Sequence, residues 1–154
     1  MNHSMTVRRM YSYEMGDTHS ESFELPLGLK DHAPPAAPFF ATEHQGAVSY
    51  TFFRLPPKWI GEAHSAPFKC LVVCLAGTFR IVTSDGDRLV MRPGDKLVET
   101  ATTGKGHITE VLSDEPVECL IVRLTVLLDE QQQATQQVVI AHHGYLRHSE
   151  SVIF

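Results

Sequence analysis

A succession of short strand-like segments between residues 47 and 126 constrains this chain more than any other feature of its sequence. The segments are rich in β-branched, aliphatic and aromatic residues, and glycine, proline or aspartate separates each one from the next. The clearest separator is Asp85-Gly86, because an Asp-Gly pair between two such segments is a strong hairpin signal. Many short strands at close spacing are typical of a sandwich or a barrel, so we predict an all-β fold.

The chain divides into three parts, which its length allows us to assign to a single domain. Residues 47–127 form the predicted barrel, and residues 1–46 precede it with two short strands and a proline-rich loop at 31–38. Residues 128–154 form a C-terminal extension, either a short helix or link followed by a docked or free tail. The predicted strands lie at 7–13, 22–25, 47–55, 68–75, 78–83, 88–91, 96–99, 107–112 and 117–127.

Charge and hydropathy limit the partners of the chain. Its formal net charge is −5 with neutral histidines, whereas nucleic-acid binders usually carry a basic surplus. No segment approaches the ~18 consecutive apolar residues of a transmembrane helix, and residues 1–10 lack the apolar run of a signal peptide. We therefore expect a cytoplasmic protein that binds neither nucleic acid nor a membrane.

The three cysteines are predicted to be reduced. Cys70 and Cys74 lie four residues apart in one apolar run, roughly 13 Å in an extended strand and too far for a disulfide. An odd number of cysteines also favours free thiols. Cys74 and Cys119 are expected in the core, while Cys70 is either a packed thiol or a ligand.

A first group of residues resembles the first conserved motif of the cupin superfamily, His-x-His followed by Glu and then Gly. His64 and Gly77 match that motif in type and spacing. Ala66 stands at the position of the second His, and Cys70 stands at the position of the Glu.

A second group resembles the second cupin motif, Gly-x-x-His with a later Asn. Gly104 and His107 match it, and Val111 takes the place of the Asn. The stretch 102–107, Thr-Thr-Gly-Lys-Gly-His, is similar to that of a subgroup of small single-domain cupins of unknown function. The resemblance covers roughly residues 50–125 and implies a cupin-like double-stranded β-helix, a jelly-roll barrel with a central pocket.

The resemblance also implies that His64 and His107 face the pocket, where cupins gather three His and one Glu on a metal ion. Such a set suits one divalent transition metal such as Fe, Mn, Ni or Zn. Here two positions keep His, and Cys70 supplies a third donor if its thiol loses its proton. Two alternatives stay open: a metal centre of His64, His107 and Cys70, or a metal-free pocket in which both imidazoles act as catalytic acid and base.

Other side chains are expected to line the pocket and to bind substrate. Arg54 and Lys69 either point outward or serve as counter-ions for an anionic substrate. Glu99 and Glu110 are predicted to face solvent. The predicted substrate-binding residues are Phe52, Arg54, Trp59, Lys69, Cys70, Val72 and Thr109.

These residues support several functions. The first is a small-molecule enzyme of isomerase, cyclase or epimerase type, acting by histidine-mediated proton transfer or by metal-assisted polarisation. The alternative is a cupin that binds or senses a small ligand without chemistry, and a further alternative is a metal-dependent dioxygenase. We also expect a homodimer, in which the N-terminal strands cover an open sheet edge across a two-fold axis.

Overall fold

The structure, a computed structural model, describes residues 3–13 and 15–125, and none of these residues lies in a helix. The prediction of an all-β fold is confirmed. The strands are β1 (Ser4–Ser12), β2 (Thr18–Pro26), β3 (Gly28–Lys30), β4 (Phe39–Ala41), β5 (Ala47–Leu55), β6 (Cys70–Ala76), β7 (Phe79–Thr83), β8 (Arg88–Met91), β9 (Lys96–Glu99), β10 (His107–Val111) and β11 (Val117–Leu124).

Two sheets pack face to face around one main core. The larger sheet has the order β2-β1-β9-β6-β11-β5, the smaller one has the order β10-β7-β8, and β3 and β4 form a separate hairpin. Alternate residues are buried from Cys70 to Cys74 on β6 and from Phe79 to Thr83 on β7, as in strands with one face on a core. Side chains from both sheets form this core, and complete burial of one such as Leu97 stabilises the fold by about 1.5–3 kcal/mol. This arrangement agrees with the predicted jelly-roll barrel.

The N-terminal part is more regular than the sequence indicates. β1 pairs along its whole length with β2, and it also runs parallel to β9 from Arg8 to Met10. Val7 and Leu25 from this hairpin cover Val98 of β9 in a second small cluster. As a result β9 is buried on both faces, with Leu97 in the main core and Val98 under the hairpin.

The cysteine prediction is confirmed. Cys70, Cys74 and Cys119 are free and buried. Cys74 and Cys119 lie opposite each other on β6 and β11. Burial raises the pKa of Cys119 to about 12, so this thiol stays protonated at neutral pH.

The end of the predicted barrel, residues 126–127, and the C-terminal extension, residues 128–154, lie outside the described residues. Within the described ranges, no helix is long and apolar enough to cross a membrane.

Candidate functional site

A cavity of about 410 Å³ lies between the two sheets, within the size range of small-molecule sites. Side chains of β5, β6, β7, β9, β10 and β11 line it together with the segment 59–67. Most of the lining is apolar. The polar residues among those described in its lining are His64, Ser65, Glu99, His107 and Thr109.

His64 and His107 meet because the segment 59–67 runs along β10. Their backbones form an isolated antiparallel bridge, in which each amide donates to the other residue's carbonyl oxygen at 3.1 and 3.0 Å. Gly106 permits this approach, since a Cβ there would lie 2.2 Å from the carbonyl oxygen of His64 and its φ is +75°. The centroids of the two imidazole rings are 4.7 Å apart, so the two rings that the sequence predicts to converge are neighbours.

Glu99 is the site residue that the sequence reasoning missed. It lines the cavity and is only 8% exposed, so the prediction that it faces solvent is wrong. Its Oε1 lies 3.5 Å from Nε2 of His107, and its Oε2 lies 3.4 Å from the thiol sulfur of Cys70. Leu97, two residues earlier on the same strand face, was only a partial signal, because Val98 on the opposite face is apolar as well.

A carboxylate therefore sits beside the position where the cupin motif places its Glu. Cys70 occupies that position on β6, and Glu99 is its direct partner on the neighbouring strand β9. The thiol of Cys70 donates a hydrogen bond to Oε2 of Glu99. Cys70 thus positions the carboxyl group and does not itself line the cavity.

Burial sets the protonation of the Glu99–His107 pair. It raises the pKa of Glu99 above its ordinary value and lowers the pKa of His107 to about 4. The hydrogen bonding of His107 supports this direction, because its Nδ1 is buried with no partner among the described residues. An imidazolium would carry a second N–H donor at that atom, so the neutral ring is favoured. A neutral imidazole thus adjoins a carboxyl group that takes up a proton more readily than usual.

His64 connects this buried pair to the exterior. The residue is exposed, yet it also lines the cavity. Its Nδ1 lies 2.8 Å from the backbone carbonyl oxygen of Glu62, which can only accept a hydrogen bond. Nδ1 is therefore the donor, and Nε2 of the neutral ring is left as the proton acceptor.

The structure brings three more predicted residues to the cavity. Trp59, Val72 and Thr109 line it. Thr109 follows His107 by two positions on β10, which puts Glu110 on the opposite face of that strand, as predicted. There Glu110 forms an ion pair with Arg80.

Two predicted residues of β5 lie on the other side of the sheet. Phe52 is 66% exposed, and Arg54 forms an exposed ion pair with Glu118. Phe53 and Leu55 line the cavity in their place. The alternation was ambiguous because β5 carries large apolar residues on both faces, so its pattern does not distinguish inside from outside.

Lys69, the residue before Cys70, is exposed and does not line the cavity, so the structure does not place this predicted substrate-binding residue at the site.

The predicted metal set of His64, His107 and Cys70 does not fit a metal ion. Among the described residues, no three His, Cys, Asp or Glu side chains are arranged to hold one. Burial and Glu99 also raise the pKa of the Cys70 thiol, and a metal ligand must be the thiolate.

Comparison with known proteins finds no matching family model and no matching curated protein. The similar solved structures include a sugar phosphate isomerase of the cupin superfamily from Silicibacter pomeroyi, with TM-score 0.41 and 22% identity over 50% of each chain. A cupin domain from Bordetella pertussis has TM-score 0.41 and 17% identity over 56% of this chain and 100% of its own. A Cupin 2 conserved barrel domain protein from Salinispora arenicola has TM-score 0.42 and 16% identity over 70% of this chain and 84% of its own.

This chain spans half the length of the first of these proteins. At such TM-scores and identities the likeness bears on neither the ligand nor the chemistry of this chain. The structural neighbours named here are cupin-superfamily proteins, the superfamily whose motifs this sequence resembles.

Proposed function

We propose that this chain is an enzyme that moves a proton on a small organic substrate held between its two sheets. The observation that supports this most is the buried Glu99–His107 pair in the cavity lining, with His64 beside it. Perturbed titratable groups that gather in a pocket are candidates for acid–base catalysis. The reaction class is an isomerisation, epimerisation or cyclisation that passes through an enol.

The chemistry divides between a buried base and an exposed acid. In its ionised form, the Glu99 carboxylate accepts a proton from the carbon next to a substrate carbonyl. His64, when protonated, donates a proton to the carbonyl oxygen, so the enol forms without a net change of charge in the site. The carboxyl group of Glu99 then gives its proton to a different carbon or to the opposite face of the same carbon, and the enol oxygen returns its proton to His64, which restores the carbonyl group and both side chains.

His107 and Cys70 act through Glu99. The neutral ring of His107 and the thiol of Cys70 flank the two carboxyl oxygens at 3.5 and 3.4 Å. They hold the carboxyl group in one orientation, which keeps its free electron pairs toward the substrate. His107 also adjoins His64, which gives the buried group a route for proton exchange with solvent.

Exchange of carbon-bound hydrogen tests this proposal without knowledge of the natural substrate. The protein is incubated in D2O with three enolisable ketones: cyclohexyl methyl ketone, 2-methylcyclohexanone and phenylacetone. Loss of the proton signal next to the carbonyl is then followed by NMR. We expect exchange above the buffer rate with at least one ketone, reduced about 10²- to 10⁴-fold by Glu99→Gln, as for loss of a general base.

Glu110→Gln is the matched control. It changes the same side chain in the same way, but in an ion pair with Arg80 that lies away from the cavity. It should exchange at the wild-type rate. The proposal fails if none of the three ketones exchanges, or if Glu99→Gln exchanges as fast as Glu110→Gln.

The mostly apolar lining of the cavity favours a second candidate, a module that binds a small ligand and releases it unchanged. That function predicts a ligand that raises the melting temperature and is recovered intact after prolonged incubation. It requires neither Glu99 nor His107 to exchange a proton. Unchanged ligand affinity in Glu99→Gln, with no exchange in the wild type, would select this candidate.

A homodimer remains a prediction. β1 covers the edge of β9 within the same chain, so among the described strands β2 and β5 form the edges of the larger sheet. Edge strands are the usual points of pairing with another chain. We propose that the N-terminal hairpin, through β2, pairs with a second copy.

A further inference from the structure

We infer that the cavity selects an uncharged molecule with an apolar body and one hydrogen-bonding group, and that it rejects anions. The inference rests on the function proposed above and names the substrate class of that same site. It applies to ligands of the size that a cavity of about 410 Å³ admits.

The charges around the cavity disfavour an anionic ligand. Its described lining contains one acidic side chain, Glu99, and two histidines, His64 and His107, but no lysine or arginine. A buried anion needs a cationic partner or several hydrogen-bond donors to offset the loss of its hydration. The ring of His107 does not provide that cation, because burial favours its neutral form. His64 is exposed, so solvent and salt screen its charge when the ring is protonated.

The cations that could have served are bound elsewhere. Arg54 pairs with Glu118, and Arg80 pairs with Glu110. Both pairs lie on faces of their strands that point away from the cavity. Of the two alternatives for Arg54, an outward side chain or a counter-ion for an anionic substrate, the structure shows the outward one, so the predicted substrate-binding role of Arg54 is wrong and the described site favours a neutral ligand.

The distribution of polar and apolar side chains in the wall favours a ligand with a single polar group. Aromatic and aliphatic side chains, among them Phe53, Trp59 and Phe79, form most of the wall. Three of the five polar residues of the described lining adjoin one another: the rings of His64 and His107 are neighbours, and Glu99 touches His107. A ligand with a single polar group beside an apolar body matches both surfaces, whereas one with polar groups at both ends leaves one of them unpaired.

The tryptophan supplies a direct probe, because Trp59 is the single Trp in the sequence and lines the cavity. We would titrate the full chain with three compounds of matched shape, and the weak near-ultraviolet absorption of the ketone is measured separately and corrected for. They are cyclohexyl methyl ketone, cyclohexanecarboxylate and cyclohexylmethylammonium. Binding is read at pH 7 from Trp59 fluorescence and, independently, from ligand-observed NMR.

We expect the ketone to bind at least about 10-fold more tightly than the carboxylate, and more tightly than the ammonium because an ammonium ion loses its hydration against the mostly apolar wall. Glu99→Gln should reduce the difference in affinity between the ketone and the carboxylate, because it removes the one acidic side chain of the described lining. Glu110→Gln, the matched control, should leave that difference unchanged. The wild-type comparison stands by itself if Glu99→Gln does not fold.

The inference is overturned if the carboxylate or the ammonium binds as tightly as the ketone, or if none of the three compounds binds. Its failure is distinguishable from that of the proposed function. Proton exchange combined with a preference for the carboxylate would refute only the substrate class. A preference for the ketone with no exchange in D2O would refute only the catalytic role.

Discussion

Glu99 and Glu110, on the successive strands β9 and β10, show how the strand face that a side chain occupies determines its burial and its partners. Glu99 on β9 faces inward, is 8% exposed, and has a raised pKa because burial disfavours its charge. Glu110 on β10 points to the other face of its strand and pairs with Arg80. The residue type is the same, but only Glu99 lines the cavity. Inner and outer positions therefore differ in what they contribute, and substitutions at matched positions measure that difference.

The largest difference in the free energy of unfolding is expected between alanine variants of two glycines with left-handed backbone, Gly106 near the site and Gly86 in an outer turn. A Cβ at Gly106 would lie 2.2 Å from the carbonyl oxygen of His64, whereas a Cβ at Gly86, in the outer β7–β8 turn, meets nothing within 4 Å. Gly86→Ala should cost about 1–2 kcal/mol for its φ of +96° alone. Gly106→Ala adds a backbone clash and should lower the free energy of unfolding by more than about 3 kcal/mol.

Urea unfolding of both variants checks this prediction. Gly106→Ala should also separate His64 from His107, so ketone binding should weaken even where the protein remains folded. Equal free energies of unfolding for the two variants would show that the close approach at the site is not a structural requirement.

Sequence patterns locate the strands well because strand periodicity is local. The predicted bounds of β5, β8 and β9 agree with the structure. The orientation of Glu99 was missed because β9 is buried on both faces, and the strand that covers its outer side, β1, lies about 90 residues earlier. A pairing at that distance leaves no trace in the local pattern of β9.

The residues of the site were predicted only in part, again because local patterns do not show long-range contacts. His64 and His107 were found through motif positions, which encode a long-range contact that periodicity does not show. No motif covers β5, and apolar side chains on both of its faces hid the fact that Phe53, and not Phe52, lines the cavity.

The second difference concerns the pH dependence of stability. His107 has a folded-state pKa lowered to about 4, so the unfolded chain binds its proton first as the pH falls below about 6.5. The stability that its neutral form contributes is present above pH 6.5 and is lost progressively down to about pH 4. The loss amounts to at most about 3 kcal/mol by linkage. Glu99, with its raised pKa, acts in the opposite sense: its contribution is present at low pH and is lost as the pH rises through its folded-state pKa.

Single variants separate the contributions of His107 and Glu99 to the pH dependence of the free energy of unfolding. His107→Gln should flatten the fall in the free energy of unfolding between pH 6.5 and pH 4, and Glu99→Gln should flatten a loss toward higher pH. His44→Gln, the same substitution at an exposed histidine outside the cavity lining, is the matched control. If His107→Gln keeps the full wild-type slope below pH 6.5, the pKa of His107 is not lowered on folding and the neutral form of the buried ring is not favoured.

The smallest difference is expected on the outer face of β5, where the sequence had suggested a substrate counter-ion. Arg54 and Glu118 form an ion pair with side chains 69% and 42% exposed, so solvent and salt screen it. A double-mutant cycle of Arg54→Ala and Glu118→Ala should give a coupling energy below about 1 kcal/mol. Arg54→Ala should leave the binding of cyclohexanecarboxylate unchanged, because the guanidinium lies on the opposite side of the strand from the cavity-lining Phe53 and Leu55. A carboxylate affinity that falls with Arg54→Ala would show instead that this side chain reaches the ligand, and the inner and outer faces of β5 would then have to be reassigned.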